Sequence, residues 1–218
     1  MTFSLLQGLR VVELGESVSA PYSTKLLADM GAEVVKIEKP GVGDQAREYG
    51  PFLNDQPHHE RSGLFLYLNS NKQGITLDLD TPTGREILGE LLAKSQVFVH
   101  NLHPTEMDRL KISYDALRSY NDQLVMASIT PFGLTGPYRD YKAYDINLAA
   151  AGGICEGLGS PGREPLTFGT PEVGYFAGMA AASSVVIALL AGQGQHIDIA
   201  EVELSLIHIS ENTRPRLI

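Results

Sequence analysis

The chain has too little cysteine for a disulfide framework. It contains one cysteine, Cys155, among 218 residues, so no intramolecular disulfide can form, and this composition is typical of a reducing compartment such as the cytoplasm. Cys155 stands in a run of glycine and alanine with no histidine near it in the sequence. We therefore expect a small packed thiol and not a nucleophile.

Basic residues are also few. The 17 lysines and arginines are outnumbered by 26 aspartates and glutamates, which gives a net charge of −9. A surface that binds nucleic acid or an anionic membrane needs a stripe of cations to neutralise phosphates, and the sequence contains none. Neither is expected as a partner, although a few local cations would suffice for a phosphorylated small molecule.

No signal peptide is expected, because Arg10 and Glu13 interrupt the first apolar segment. Residues 175–192 carry no charge and reach the lower limit of a membrane span. They are mostly alanine, glycine and serine, which are weakly hydrophobic, and no positive flank follows them. The segment is therefore predicted to be a buried, tightly packed helix.

Several chemical motifs are absent. The sequence has no G-x-G-x-x-G after its first strand, no G-x-x-x-x-G-K-[ST], no G-x-S-x-G and no H-E-x-x-H, so the fingerprints of nicotinamide binding, P-loop nucleotide binding, serine hydrolases and zinc proteases are missing. The three adjacent residues His58, His59 and Glu60 could not converge on one ion from an extended loop. No metal site is expected.

A strand–helix–strand unit opens the chain. Residues 10–14 (RVVEL) and 33–38 (EVVKIE) are short, β-branched and apolar, and a helical stripe runs from Pro21 to Met30 between them. Two strands joined by one helix must be parallel. Ligands bind at the carboxyl ends of such strands, so residues 15–21 and 39–44 are candidate ligand loops.

The same alternation continues along the chain. Further strands are predicted at residues 74–79, 96–99 and 124–129, with helices between them that begin at cap residues such as Thr81 and Ser113. Residues 44–70 are less regular and are predicted to form a surface excursion. Strands that alternate with helices indicate an α/β fold with a doubly wound parallel sheet.

Ordered landmarks along residues 7–203 resemble the family III CoA-transferases, the CaiB/BaiF type that includes formyl-CoA transferase and α-methylacyl-CoA racemase. The segments that carry the resemblance are residues 7–14 (QGLRVVEL), 27–38 (LADMGAEVVKIE), 43–44 (GD), 69–72 (NSNK) and 194–198 (GQHID), with Asn101, Arg109, Gly133, Gly136, Pro137, Tyr144 and Asp145.

The resemblance implies a Rossmann-like large domain, residues 1–204, of a protein whose small domain is largely missing here. It implies an activity that transfers CoA between carboxylic acids, with acyl-CoA and a small carboxylic acid as substrates, and two interlocked subunits. These subunits could be two copies of this chain or this chain and a homologue.

The resemblance also implies where CoA would bind. In formyl-CoA transferase-like members the cofactor lies against the loops after the first strands and against three cations, here Lys39, Arg109 and Lys142, which can pair with phosphates. The positions of this sequence that match the family's CoA contacts are Val18, Ser19, Lys39, Leu77, Asp78, Leu79, Asp80, Asn101, Leu102, His103, Arg109, Lys142, Ala143, Tyr144 and Asp145.

The catalytic position departs from the family. In the transferases an aspartate attacks the acyl-CoA carbonyl, and the flanking Gly169, Pro171 and Gly178 place Gly174 in that slot. Glycine has no carboxylate, so no catalytic residue is assigned. Tyr144 stands where the racemases have a histidine base, which disfavours that branch.

Three explanations of Gly174 stay open. The chain could handle CoA thioesters without an aspartyl intermediate, or it could be a catalytically inactive CoA-binding subunit of a hetero-oligomer. Alternatively, Glu172 could supply the carboxylate, although on a helix it would point about 200° away from residue 174.

Residues 205–218 (SLIHISENTRPRLI) do not continue the resemblance. They resemble the peptide obtained when sequencing-adapter DNA is translated into a gene prediction. The hypothesis is that the natural protein continues beyond about Leu204 and that residues 205–218 are a non-native tail.

Overall fold

A computed structural model describes residues 4–160 and 162–206. Six parallel strands form one sheet in the order β3-β2-β1-β4-β5-β6. This architecture confirms the doubly wound α/β fold. The strands are β1 (Arg10–Leu14), β2 (Glu33–Glu38), β3 (Lys72–Thr76), β4 (Val97–His100), β5 (Val125–Thr130) and β6 (Gln195–Ala200).

Helices connect successive strands, and the last helix follows β6. They are α1 (Ser19–Asp29), α2 (Gly63–Leu68), α3 (Pro82–Leu92), α4 (Pro104–Leu110), α5 (Tyr114–Leu117), α6 (Asp145–Ala151), α7 (Ile154–Leu158), α8 (Glu172–Ala191) and α9 (Glu201–Leu206). Thr81 and Ser113 cap α3 and α5 through their hydroxyl groups, as predicted. Residues 44–70 hold two 3₁₀ turns and α2, so the excursion is more ordered than its sequence suggested.

The sheet has an apolar core on each face. On one face, side chains such as Val11, Val99 and Ala127 pack with α1 and α8. On the other face, Val12, Phe98 and Met126 pack with the helices between β3 and β5. Alternate residues of β1, β4 and β5 thus enter opposite cores, and these strands are buried apart from Arg10 because both faces are covered.

The predicted third strand is shifted in the structure. It was expected at residues 74–79, but β3 is Lys72–Thr76, and residues 77–80 leave the sheet towards a cleft. Lys72 pairs with Val34 of β2 and its ammonium reaches the buried Glu13. This buried contact fixes the register of a strand whose own side chains are mostly exposed.

Helix α8 contains the uncharged segment predicted to be a buried helix. One face packs on α1, β5 and β6 through small side chains such as Ala177, Ala181 and Val185, whereas Met179, Ile187 and Leu190 on the other face are exposed. Within the described residues, α8 is also the helix long and apolar enough to cross a membrane, a test that buried core helices pass as well.

Candidate functional site

A cleft lies at the carboxyl ends of β1, β2 and β4. The chain leaves β1 towards one edge of the sheet and leaves β4 towards the other, and this divergence opens a crevice between neighbouring strands. The floor is apolar, with Leu14, Ile37, Leu79 and Leu110 among its residues, and the cleft holds about 100 Å³. The residues that were predicted to contact CoA and that line the cleft are Lys39, Leu77, Asp78, Leu79, Asp80, Leu102 and Arg109.

Two of the three predicted cations stand together at the rim of this cleft. Asp80 joins them, with Oδ1 2.6 Å from Arg109 Nη1 and Oδ2 3.7 Å from Lys39 Nζ. Glu106 also binds the Arg109 guanidinium, at 2.5 Å. The guanidinium lowers the pKa of Asp80 and Glu106. All four side chains are substantially exposed, so a phosphate could replace these carboxylates as the cations' partner.

Asn101 holds the loop after β1, one of the two candidate ligand loops. Its Oδ1 accepts a hydrogen bond from Glu16 N at 3.0 Å, and its Nδ2 donates to Glu16 O at 2.7 Å and to Ser19 Oγ at 3.1 Å. Asn101, which was predicted to contact CoA, therefore also has a structural role. It sets the path of the chain between the cleft and the start of α1.

A buried charge network ties the two candidate ligand loops together. Lys36 Nζ lies 2.7 Å from Glu13 Oε1 and 2.7 Å from Asp44 Oδ2, and it also donates to Gly15 O at 2.8 Å. Asp44 Oδ1 in turn accepts from Ser17 N at 2.8 Å. The loops after β1 and β2 are thus fixed to one ammonium group.

Lys72 completes this network. Its Nζ lies 2.8 Å from Glu13 Oε2 and 2.7 Å from Pro21 O. Burial lowers the pKa of Lys72 to about 8, against the attraction of Glu13. Burial also opposes the charge on Glu13, but the two ammonium groups outweigh it and the pKa of Glu13 is lowered. Two carboxylates and two ammonium groups therefore balance inside the protein.

Gly174 lies in the first turn of α8, facing the start of α1. A Cβ atom on Gly174 would stand 3.1 Å from Val18 Cβ and 3.7 Å from Ser19 N. Its own N–H donates to Asp145 Oδ1 at 3.2 Å. Val18 and Ser19, which were predicted to contact CoA, are buried beside this position. A carboxylate in the predicted nucleophile slot would thus point at the end of the loop that borders the cleft.

Glu172 lies on a different side of α8. It lines a second cavity together with Asp145, Cys155 and Phe168, and its Oε1 is 3.4 Å from Thr170 Oγ1. Burial raises the pKa of both Glu172 and Asp145. Cys155 is buried, consistent with its predicted role as a packed thiol.

The remaining predicted CoA contacts do not line the cleft. His103 precedes α4, and its Nε2 lies 3.4 Å from Tyr141 O. Tyr144 is 79% exposed, and Asp145 begins α6. Lys142 and Ala143 lie in the segment before α6. Among residues 4–160 and 162–206, no group of three or more His, Cys, Asp or Glu side chains is arranged to hold a metal ion.

Glu201 is a carboxylate that sequence reasoning did not consider. It is the first residue of α9, directly after β6, and it is partly buried. Burial raises its pKa, and the charge of Asp145 adds to this effect. Glu201 could have been singled out from the sequence, since residues just after a parallel strand lie at the edge of the sheet where ligands bind. It was missed because β6 had not been predicted.

Comparisons with known proteins agree with this architecture. The chain is 34% identical over 205 residues to the succinate–glutarate CoA-transferase of Agrobacterium fabrum, covering 91% of this chain and 51% of that protein. It is 37% identical over 218 residues to the formyl-CoA:oxalate CoA-transferase of Streptomyces avermitilis, covering 97% and 52%. The chain thus spans about half the length of these relatives.

A solved structure and a family model also match this chain. The crystal structure of a CAIB/BAIF family protein from Brucella suis matches with a TM-score of 0.88 and 33% identity, covering 96% of this chain and 56% of that one. The model of CoA-transferase family III matches residues 6–214. The chain therefore belongs to CoA-transferase family III.

Proposed function

We propose that the protein binds acyl-CoA in the cleft at the carboxyl ends of β1, β2 and β4 and transfers CoA between carboxylic acids. The observation that carries the proposal is the pair of rim cations, Lys39 and Arg109, beside an apolar floor in a chain of this family. The cations would receive phosphates, and the floor would receive the adenine ring or part of the pantetheine arm. Lys142 would provide a third cation.

Calorimetric titration of the protein with CoA and with ATP tests the binding step. We expect CoA to bind, and Arg109→Gln to weaken that binding about tenfold or more, because a charge-assisted contact with phosphate is lost. Arg10→Gln is a matched control, since Arg10 is an exposed arginine at the opposite end of β1. Binding of ATP without CoA would contradict the proposal.

Turnover decides between the enzyme and its alternative, an inactive CoA-binding subunit. The relatives named above are CoA-transferases for succinate and glutarate and for formyl-CoA and oxalate, so succinyl-CoA with glutarate and formyl-CoA with oxalate are the first pairs to assay. Formation of the new thioester, followed by chromatography, supports an enzyme. CoA binding without exchange, even with a homologous subunit added, supports the inactive subunit, as Gly174 would suggest.

We further propose that residues 1–204 are the amino-terminal part of the large domain and that residues 205–218 are not native. The chain spans about half the length of its relatives, which supports this proposal. The family match extends to residue 214, which counts against a non-native origin of residues 205–214. Resequencing the locus tests the point. An uninterrupted genomic frame that ends at Ile218 would contradict it.

The full protein is proposed to be a cytoplasmic homodimer, or a heterodimer with a homologue. The support is the resemblance and a single buried cysteine. Sedimentation of the purified protein, alone and with a co-expressed homologue, distinguishes these assemblies from a monomer.

A further inference from the structure

A chain of hydrogen bonds crosses the sheet from β6 to the cleft. Ser128 Oγ on β5 lies 2.8 Å from His196 Nε2 on β6 and 2.7 Å from His100 Nε2 on β4. His100 Nδ1 accepts a hydrogen bond from Leu102 N at 3.2 Å. Ser128 and His100 are fully buried, whereas Leu102 lines the cleft proposed for CoA. Three side chains thus connect the edge strand β6 to the loop after β4.

The backbone at one end fixes the direction of every hydrogen bond in this chain. An N–H group can only donate, so His100 Nδ1 carries no hydrogen when it accepts from Leu102 N. Burial lowers the pKa of His100 to about 3, and the neighbouring His196 adds to this effect. The neutral His100 ring therefore carries its one hydrogen on Nε2 and donates it to Ser128. The Ser128 O–H then donates to His196 Nε2, and neutral His196 carries its hydrogen on Nδ1.

His196 is the member of the chain that a proton can reach. It is half-buried and lines a cavity of about 330 Å³, and its ring stacks on Tyr114 with 5.2 Å between the ring centroids. Burial lowers the pKa of His196, and the charges of Asp198 and Asp115 oppose this effect without reversing it. The titratable and charged groups that face His196 are Asp198 on β6, His100 on β4, Asp108 on α4, Tyr114 and Asp115 on α5, and Arg139, which is paired with Asp108.

A proton on His196 Nε2 would conflict with the chain. That nitrogen would become a donor to Ser128, and the Ser128 O–H would lose its acceptor. In residues 4–160 and 162–206 the one other hydrogen-bonding partner of this hydroxyl is His100 Nε2. Ser128 can donate there only if His100 carries its hydrogen on Nδ1 instead, and this hydrogen would then face the Leu102 N–H.

One donor must therefore lose its partner, and the two candidates differ in burial. The Ser128 hydroxyl is fully enclosed, so leaving it without an acceptor costs its whole hydration. The Leu102 N–H lies beside the cleft, where it can turn to water. Reversal of the chain, with release of Leu102, is thus the less costly response.

We propose that Ser128 and His196 are positioning residues for the CoA cleft, which hold His100 in the tautomer that fixes Leu102, and that a proton on His196 releases this segment. The proposal rests on the proposed binding of CoA in the cleft. Asn101, next to Leu102, holds the loop after β1 through Glu16. Release of Leu102 therefore loosens two loops of the cleft, and CoA binds more weakly in acid.

The positions of the ring hydrogens test the first half of the proposal. The protein, labelled with nitrogen-15 in its six histidines, is studied by NMR, which shows from the nitrogen chemical shifts which ring nitrogen carries a hydrogen. His196→Gln assigns the signals of that residue. At about pH 7.5 we expect hydrogen on Nε2 of His100 and on Nδ1 of His196. Hydrogen on Nε2 of His196 at this pH would overturn the proposal.

Calorimetric titration with CoA at about pH 7.5 and about pH 5 tests the second half. Glutamine at 196 can accept from Ser128 but cannot take up a proton. The loss of CoA affinity between the two pH values should therefore be about threefold or more smaller in His196→Gln than in the unmodified protein. His59→Gln is the matched control, because His59 is an exposed histidine and should leave the full loss in place. Titration of the phosphates of CoA affects all three proteins equally.

The outcomes separate this proposal from the one on which it rests. If CoA binds and its affinity changes equally with pH in His196→Gln and in the unmodified protein, the chain does not position the cleft, and the proposed CoA binding stands. If CoA binds at neither pH, the proposed function fails, and with it the role of Ser128 and His196 in positioning a CoA cleft.

Discussion

At the scale of single residues, Gly174 matters most for the chemistry, because it has no side chain in the predicted nucleophile slot. A side chain at position 174 would not enter open space, because Val18 Cβ and Cγ1 lie 3.1 and 3.2 Å from where a Cβ atom on Gly174 would stand. Such contacts are tighter than ordinary packing, so Val18 would have to move before any larger residue fits. Gly174 and Val18 are thus matched in size.

This match predicts the outcome of restoring a carboxylate at 174. Gly174→Asp alone should give little transfer, because Val18 pushes the new carboxylate out of line and a displacement of about 1 Å can cost about a hundredfold in rate. Adding Val18→Ala should raise the rate and produce a hydroxylamine-sensitive adduct on residue 174. Mass spectrometry and the thioester assay check both; an equal rate with and without Val18→Ala would contradict the steric argument.

Lys72 gives a second prediction at this scale. Its pKa is about 8 in the folded protein because it is buried, whereas an unfolded lysine titrates near about 10.4. Between these values the unfolded chain binds more protons, so Lys72 makes the free energy of unfolding rise with pH, and this gain is lost as the pH falls through about 8. We expect the rise to be about 2 kcal/mol larger in the unmodified protein than in Lys72→Met.

Denaturant unfolding at several pH values between 7 and 10 measures that difference. Lys94→Met is the control, since Lys94 is exposed and should leave the slope unchanged. If the free energy of unfolding depended on pH equally in the unmodified protein and in Lys72→Met, Lys72 would titrate normally. The balanced charge network would then be wrong.

Some of the residues in the cleft could be predicted from the sequence. Lys39, Asp80 and Arg109 were assigned to CoA from the resemblance, and the fold does bring them to one cleft. The contact of Lys72 could not be read in the same way. It depends on Glu13, 59 residues away along the chain, and only the folded sheet brings the two side chains together.

At the scale of elements, the close approach of α1 and α8 depends on Gly178. A Cβ atom there would stand 2.6 Å from Ser19 O and 3.1 Å from Ser23 N, and backbone atoms of α1 cannot move aside as a side-chain tip can. The helices that carry Ser19 and Gly174 are therefore held together by a glycine one turn from the site.

Gly178→Ala should accordingly destabilise the protein by about 1–3 kcal/mol, because it forces α1 and α8 apart. Gly157→Ala is the matched control: a Cβ atom on Gly157 in α7 meets nothing within 4 Å, and alanine there should stabilise by about 0.5–1 kcal/mol. Thermal unfolding of the two variants checks the contrast, and equal shifts would contradict it.

Elements with strong periodicity were predicted well, and those without it were not. Strands β1 and β2 were placed at their observed residues because both are β-branched and bounded by glycine or proline. Strand β6 was missed because Gln195, His196 and Asp198 make it look polar. Within residues 4–160 and 162–206 it pairs along one edge only, with β5, and an edge strand needs less apolar sequence than a central one.

At the scale of the whole molecule, the chain presents an apolar helix face with no described cover. Ile187 and Leu190 of α8 are 67% and 83% exposed, and Met179 on the same face is 50% exposed. The other face of α8 is packed on α1 and the sheet. Because the chain spans about half the length of its relatives, a protein that continued further would have residues available to cover this face.

The exposed apolar face of α8 should promote association of the protein. In the 218-residue protein, Ile187→Lys with Leu190→Glu should increase the monomeric fraction in size-exclusion chromatography and reduce binding of a hydrophobic dye, with little change in melting temperature, because exposed apolar groups promote association. Val185→Lys, on the buried face, is the contrasting variant and should unfold the protein. If resequencing yields a longer chain, the same double variant in it should lower the melting temperature, since the added residues would bury the face. An unchanged melting temperature in the longer chain would show that its extra residues lie elsewhere.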